Sequence, residues 1–233
     1  MKVLEVKDVS KSFNGIKALN KCNVDVENGL IYGLIGPNGS GKTTLFNVIT
    51  GFLKPDEGEI LFKGENITNL PSFKIAHKGI GRTFQLTRVF SHLTLVDNLV
   101  VAVREGMDAE KKAIDLLKSV GLENLKNEYA KKLSVGQRKL LEFARVLMMD
   151  PMLILLDEPT SGIDASAANK LANCVREKRD EGKTFIIVEH KMGLIMNLCE
   201  IVYVLHKGAV IAKGTPEEIR KKEEVIEAYL GCR

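Results

Sequence analysis

The sequence predicts an α/β fold organised around a mainly parallel sheet, and three features point to it. An almost wholly apolar run at residues 30–35 leads into a glycine-rich loop and then a helical stretch. A second apolar run, residues 152–156, ends in two adjacent acids. Further strand-like runs at 185–188, 201–205 and 210–212 follow, with a helical pattern between 156 and 185. Strands that alternate with helices pair in parallel through crossovers, and a parallel strand buried on both faces reads as an unbroken apolar run.

Taken in order, residues 4–9 and 21–26 read as short strands; in the second, Lys21, Asn23 and Asp25 alternate with Cys22, Val24 and Val26. The buried strand at 30–35 follows, then a helix from Lys42 that Gly51 can end and Pro55 cannot continue. Asp56-Glu57-Gly58 reads as a turn into a strand at 59–62, and Lys63-Gly64 as a second turn. Residues 72–145 carry mostly helical patterns, including 109–120 with apolar Ala113, Leu116, Leu117 and Val120, and part of this stretch reads as a helical insert. Thr215-Pro216-Glu217-Glu218 opens a final helix with a capping box and Pro at its first position.

A chain of 233 residues with 45% hydrophobic and 27% charged residues suits one large domain, or a core with a small inserted subdomain. Its 34 Lys and Arg against 30 Asp and Glu leave a formal charge of +4, too little for the concentrated basic stripe that nucleic acid requires. The doubled lysines at 111–112, 131–132 and 221–222 read as solvated faces. No apolar run approaches the roughly 20 residues of a membrane-spanning helix. Met1-Lys2-Val3-Leu4-Glu5 turns polar too soon for a secretory signal. Cys22, Cys174, Cys199 and Cys232 are scattered without metal-ligand spacing, as reduced cytoplasmic thiols would be.

The chemistry concentrates in three places. Gly36-Pro37-Asn38-Gly39-Ser40-Gly41-Lys42-Thr43 meets the pattern G-x-x-x-x-G-K-[ST] between a buried strand and a helix. Its glycines free the backbone to point successive N–H groups at phosphate oxygens, and the helix N-terminus adds roughly +0.5 charge. In such a loop Lys42 reaches the β- and γ-phosphates and the Thr43 hydroxyl sits on Mg²⁺. The loop alone does not separate a kinase, a GTPase and a transport ATPase, although the guanine motif N-K-x-D is missing. Asp157 and Glu158 end the apolar run at 152–156, and ligands gather outside the carboxyl ends of parallel strands. Asp157 is the natural Mg²⁺ partner, and Glu158 can polarise an attacking water; the less favoured reading of the two alone is acids that cap a strand end. Ser134-Val135-Gly136-Gln137 reads locally as a capping box opening a helix, and it leaves a second N-terminus suited to phosphate.

Together these residues resemble the ATPase subunit of an ATP-binding-cassette (ABC) transporter over nearly the whole chain. Ser134-Val135-Gly136-Gln137 resembles the family signature, Gln85 the Q-loop, Ser161-Gly162-Ile163-Asp164 the D-loop and His190 the switch histidine, all in family order. Taken singly, His190 would be a polar strand terminus and Gln85 a surface amide. The resemblance implies one domain over residues 1–233: a RecA-like P-loop NTPase core, an N-terminal antiparallel β subdomain and a helical subdomain inserted at about 86–145. It implies ATP held by 36–43 with Thr44 and Gln85, Mg²⁺ held by Thr43, Gln85 and Asp157, and catalysis by Glu158, His190, Lys42 and Gln85. It further implies a head-to-tail dimer, with a second copy or a sister ATPase, in which Ser134, Gly136, Gln137 and Asp164 close over the facing nucleotide. Phe13 matches the position of an adenine-stacking ring, though an isolated Phe is more often core. Val135 stands where the signature commonly has Gly, and Ile163 where the D-loop commonly has Leu.

The stretch 79–85 with 88–90 and 93–99, together with 45–52 and 225–231, is most similar to the ATPases of branched-chain amino-acid importers, and less specifically to their urea and amide relatives. The segment between Val101 and Leu133 is shorter than in many members of that branch. This resemblance implies polytopic permease subunits as direct partners, a solute-binding protein as an indirect one, no nucleic acid, and a place on the cytoplasmic face of the cell membrane. Rival readings meet obstacles in the sequence. A chromosome-maintenance head carries a long coiled coil between Q-loop and signature, whereas 85–134 is short and lacks sustained heptads. Ribosome-associated factors of this kind usually carry two cassettes, and this chain has one P-loop and one signature.

Overall fold

A computed structural model of the chain describes residues 1–85, 87–103 and 108–230. It opens with two long antiparallel strands, β1 (Lys2–Phe13) and β2 (Ile16–Glu27), followed by β3 (Ile31–Ile35) and helix α1 (Lys42–Ile49). Next come β4 (Glu57–Phe62), β5 (Glu65–Asn66), α2 (Ser72–His77), β6 (Ile80–Arg82), α3 (Leu95–Val100), α4 (Ala109–Ser119) and α5 (Val135–Met148). The remainder is β7 (Leu153–Asp157), α6 (Ala165–Asp180), β8 (Thr184–Val188), α7 (Met192–Leu198), β9 (Ile201–His206), β10 (Ala209–Gly214), α8 (Pro216–Lys221) and α9 (Glu223–Leu230).

The strands form two sheets. One is antiparallel, in the order β2-β1-β4-β5; the other runs β10-β9-β3-β8-β7-β6, parallel throughout except for the β10–β9 pair. The α/β class with a mainly parallel sheet and an N-terminal antiparallel sheet is therefore observed. The interior strands are buried on both faces, as their unbroken apolar sequences require. Ile31 and Ile35 of β3, Ile154 and Leu156 of β7, Phe185 and Ile187 of β8 enter one core with α3 to α7. Their alternates Tyr32, Leu34, Leu153, Leu155, Ile186 and Val188 enter a second core with α1 and the antiparallel sheet. Three layers result, with the parallel sheet in the middle.

Several elements differ from the sequence reading. The first two strands are twice as long as expected, because β1 and β2 form one hairpin closed by Asn14-Gly15, both at positive φ. Register shifts along this hairpin break the polar–apolar alternation that marks a strand. β4 begins at Glu57 rather than after Gly58, and β5 extends the sheet beyond the Lys63-Gly64 turn. Strand β6 lies inside the stretch read as helical. The single final helix is two, α8 and α9, parted at Lys222, although the capping box of Thr215 with Glu218 and the Pro at the helix start are as expected.

Candidate active site

Four parallel strands of the central sheet, β3, β6, β7 and β8, point their carboxyl ends the same way, and the segment after each carries a chemical group. After β3 comes the glycine-rich loop; beyond β6 lies Gln85; Glu158 follows β7; Glu189 and His190 follow β8. A cleft of about 410 Å³ lies at this edge, lined by Phe13, Ala18, residues 38–44, Gln85, Glu158 and His190. Phe13 reaches it from the tip of the β1–β2 hairpin, where the ring is 43% exposed. The sheet edge therefore assembles residues that lie up to 177 positions apart in the chain, between Phe13 and His190.

The loop's shape depends on glycine. Gly41, the N-cap of α1, has φ 106°, and a Cβ there would sit 2.4 Å from the Ala18 carbonyl oxygen. Lys42 is buried and folds back into the loop, where its Nζ donates to the carbonyls of Gly36 (2.8 Å) and Pro37 (3.0 Å). Burial lowers its pKa, opposed by the nearby charges of Glu158 and Asp157. This is a cation held by weak neutral acceptors, able to exchange them for phosphate oxygens with which it pairs more strongly.

Glu158 stands at the centre of the opposite wall. Its Oε1 lies 3.0 Å from His190 Nε2, and its Oε2 accepts from Gln85 Nε2 at 3.3 Å. One carboxylate is thus held between groups from two other strand ends. Behind it, Asp157 is buried against Arg82, with Nη2 to Oδ2 at 3.0 Å. Burial raises the Asp157 carboxyl above its ordinary range, and the Arg82 hydrogen bond and charge pull it back. Arg82 also donates to Asn47 Oδ1 (2.7 Å) and Thr50 Oγ1 (3.2 Å), tying β6 to α1.

The donors suit Mg²⁺ shared with phosphate. Among the described residues no cluster of three or more His, Cys, Asp or Glu side chains could hold a metal alone. Mg²⁺ usually takes only one or two protein oxygens besides waters and substrate phosphates. The Thr43 hydroxyl and the Gln85 amide on the cleft, with the carboxylate of Asp157 behind it, supply oxygens of that kind.

Ser134, Gly136, Gln137 and Asp164 do not line this cleft. They come together elsewhere. Ser134 caps α5 and forms a full capping box with Gln137, as expected. Asp164 caps α6 by accepting the Ala167 amide at 2.9 Å. Gly136 allows these two helix starts to meet: a Cβ there would lie 3.1 Å from the Ala167 Cβ and 3.7 Å from that of Ile163. Gly36, Pro37 and Asp157 support the cleft from behind its wall rather than facing it.

Three contributors were not singled out in the sequence. Arg82 lies in the stretch 79–85 without a distinguishing local signal. Lys139 of α5 donates to the Glu158 carbonyl at 2.8 Å. Glu189, buried, accepts from the Thr160 amide (2.7 Å) and hydroxyl (2.6 Å) and from the His190 amide (3.2 Å), so it clasps the turns after β7 and β8 together. Their partners are remote in sequence, and no spacing rule points to them.

Comparison with known proteins gives the same picture. The family model described as ABC transporter matches residues 19–161, and that of the branched-chain amino acid ATP-binding cassette transporter matches 209–231. The chain is 38% identical over 249 aligned positions to a probable branched-chain amino acid transport ATP-binding protein, LivG, of Archaeoglobus fulgidus, covering 100% of this chain and 97% of that one. Among solved structures, it superposes with TM-score 0.92 and 34% identity on the ADP conformation of an ATP-binding cassette of an ABC transporter, covering 99% of each chain. A dimeric post-hydrolysis state of another cassette, bound to ADP and Pi, matches with TM-score 0.83 and 27% identity over 91% of this chain and 98% of that one. With a phosphate loop, an acid pair and a capped signature in one fold, matched over its full length by such relatives, this chain belongs to the family of ABC transporter ATP-binding subunits.

Proposed function

We propose that this chain hydrolyses ATP and, paired with a second nucleotide-binding chain, powers import of branched-chain amino acids through membrane permease subunits. The observation that carries the chemistry is the convergence of Gln85 and His190 on the Glu158 carboxylate opposite the phosphate loop. Glu158 is the general base that orients water at the γ-phosphate; His190 and Gln85 hold its two oxygens in place. Lys42 and the loop's N–H groups bind the phosphates, and the Phe13 ring stacks on adenine. Thr43, Gln85 and Asp157 would hold Mg²⁺, which when bound neutralises charge on the β- and γ-phosphates. The choice of solute follows the relatives' names and the match at 209–231.

Ser134, Gly136, Gln137 and Asp164 complete the partner chain's site, in keeping with the dimeric cassette noted above. The Q-loop side of the molecule offers a surface for permease subunits. Phe52 and Phe90 are about half exposed there, and Phe52 packs edge-on to Phe84, next to Gln85. No helix among the described residues is long and apolar enough to cross a membrane, so the permease would have to supply attachment at the cytoplasmic face. The helical insert would span residues of about 86–145, which include α3, α4 and most of α5.

Glu158→Gln tests the central assignment. It should bind ATP as the parent does while hydrolysis falls by roughly 10²- to 10⁴-fold, the usual contribution of a positioned acid–base group. Parental turnover by the purified variant would remove Glu158 from the role of base. Co-purification with polytopic membrane subunits from native membranes tests the transport assignment, and a chain that brings down none would count against it.

A further inference from the structure

Helix α5 carries two buried charged residues one turn beyond its signature end. Lys139 and Glu142 are 8% and 3% exposed. Burying a charge is expensive unless its hydrogen bonds are met, so each must answer to a specific partner. The partner of Lys139 is the backbone carbonyl of Glu158, at 2.8 Å from Nζ. Glu142 Oε1 accepts the backbone amide of Arg88 at 3.1 Å, on the segment that also carries Gln85. One helical turn thus grips the backbone of both segments that supply Glu158 and Gln85.

The Glu158 backbone needs such a grip. Its φ is 46°, in the left-handed region that a residue with a Cβ seldom adopts. Three hydrogen bonds hold it there: its own N–H donates to the Val188 carbonyl (2.9 Å), and its carbonyl accepts from the Ser161 amide (3.1 Å) and from Lys139. Only Lys139 reaches in from a separate helix. In this conformation the carboxylate meets both His190 and Gln85.

We propose that Lys139 is a positioning residue for Glu158, fixing the left-handed turn beneath the base from the same helix that presents Ser134 and Gly136 one turn away. The seating of the signature helix then sets the aim of the base in its own chain, through one side chain. The Glu142 hydrogen bond keeps that turn of α5 registered on the Q-loop segment. This inference rests on Glu158 acting as the base.

The test compares Lys139→Met, which keeps the length and removes the donor, with Lys139→Arg, which keeps a cationic donor, in the full-length chain. For Lys139→Met, kcat for ATP hydrolysis should fall roughly 10- to 100-fold, the worth of a hydrogen bond from a charged group. ATP affinity and KM should stay within about threefold, and Lys139→Arg should recover most of the rate. Lys139→Gln, polar but shorter by one bond, should show the same loss and decides the matter should the methionine variant not fold. Parental kcat in Lys139→Met or Lys139→Gln overturns the proposal. So does a loss of kcat matched by equal losses of ATP affinity and melting temperature without rescue by Arg. Glu158→Gln, assayed alongside, separates the two questions: if it too keeps parental turnover, the base assignment has failed, and not only the role of Lys139.

Discussion

Replacing Arg82 by methionine removes one charge from a buried pair and leaves the other behind. The side chains of Arg82 and Asp157 are 6% and 3% exposed and 3.0 Å apart, so water cannot compensate the carboxylate once the guanidinium is gone. Breaking such a pair from one side costs about 3–5 kcal/mol, since an uncompensated buried charge remains. With a urea m-value of about 2–3 kcal/mol per molar, the unfolding midpoint of Arg82→Met should fall by roughly 1–2 M. The deficit should also depend on pH, in a direction fixed by the carboxyl. Burial already raises the folded-state pKa of Asp157 above the ordinary carboxylate value, with Arg82 pulling the other way, so the variant raises it further. A carboxyl that binds its proton more tightly when folded adds stability as pH falls through the folded-state value, and that stability is lost above it. Arg82→Met should therefore look worst near pH 8 and recover toward about pH 5, while Asp157→Asn added to it should restore much of the loss at pH 8. Equilibrium unfolding in urea at both pH values measures this. A deficit below about 1 kcal/mol at pH 8, or one that neither pH nor the second substitution changes, would refute the claim that Arg82 serves to neutralise Asp157.

Other parts of the site answer to simpler perturbations. Gly41→Ala places a Cβ 2.4 Å from the Ala18 carbonyl at φ 106°, so it should cost about 2 kcal/mol or more and abolish the rise in melting temperature expected of the parent with Mg-ATP. Phe13→Ala should weaken ATP about tenfold by calorimetry without moving the melting temperature of the nucleotide-free chain; an unchanged affinity would take Phe13 out of the adenine site. Thr215→Ala breaks one capping box and should cost about 1 kcal/mol in equilibrium unfolding while hydrolysis continues. Lys42→Ala should lose its own nucleotide yet still complete a partner's site through Ser134, so mixed dimers with a wild-type chain should retain one working site. Mixed dimers in which the wild-type P-loop gains nothing would argue against the shared site.

What the sequence revealed follows from how far each feature reaches along the chain. β3, β7 and β8 were legible because burial on both faces leaves no polar position to blur the run. The phosphate loop was legible because its chemistry is contiguous. β6 was not: it is three residues long at a sheet edge, and its Gly81 interrupts any apolar pattern. Gly81 is there because a Cβ would come within 2.6 Å of Val146, a contact with α5 that no local rule foresees. The β1–β2 hairpin was half legible, since its register shifts spoil alternation, although Asn14-Gly15 was a turn signal in plain view. Arg82, Lys139 and Glu189 belong to a third kind. Each meets a partner 75, 19 or 29 positions away, and its meaning exists only once the sheet has brought the strand ends together.

The same distinction explains why the site looks complete from one side and open from the other. The cleft gathers the loop, Gln85, Glu158 and His190, the groups proposed to bind phosphate and to direct water. Its outer side is open. The helix start at Ser134, proposed to meet the partner's phosphate, lies instead with the start of α6, packed through Gly136 against Ala167. Each terminus has its own local reason to exist as a cap, so folding alone accounts for Ser134 and Asp164. Val135, on the first turn of α5, is 46% exposed. In the proposed dimer, Ser134 and Val135 would lie on the surface that covers the partner's cleft, and α5 would link that surface through Lys139 to the Glu158 backbone of its own chain.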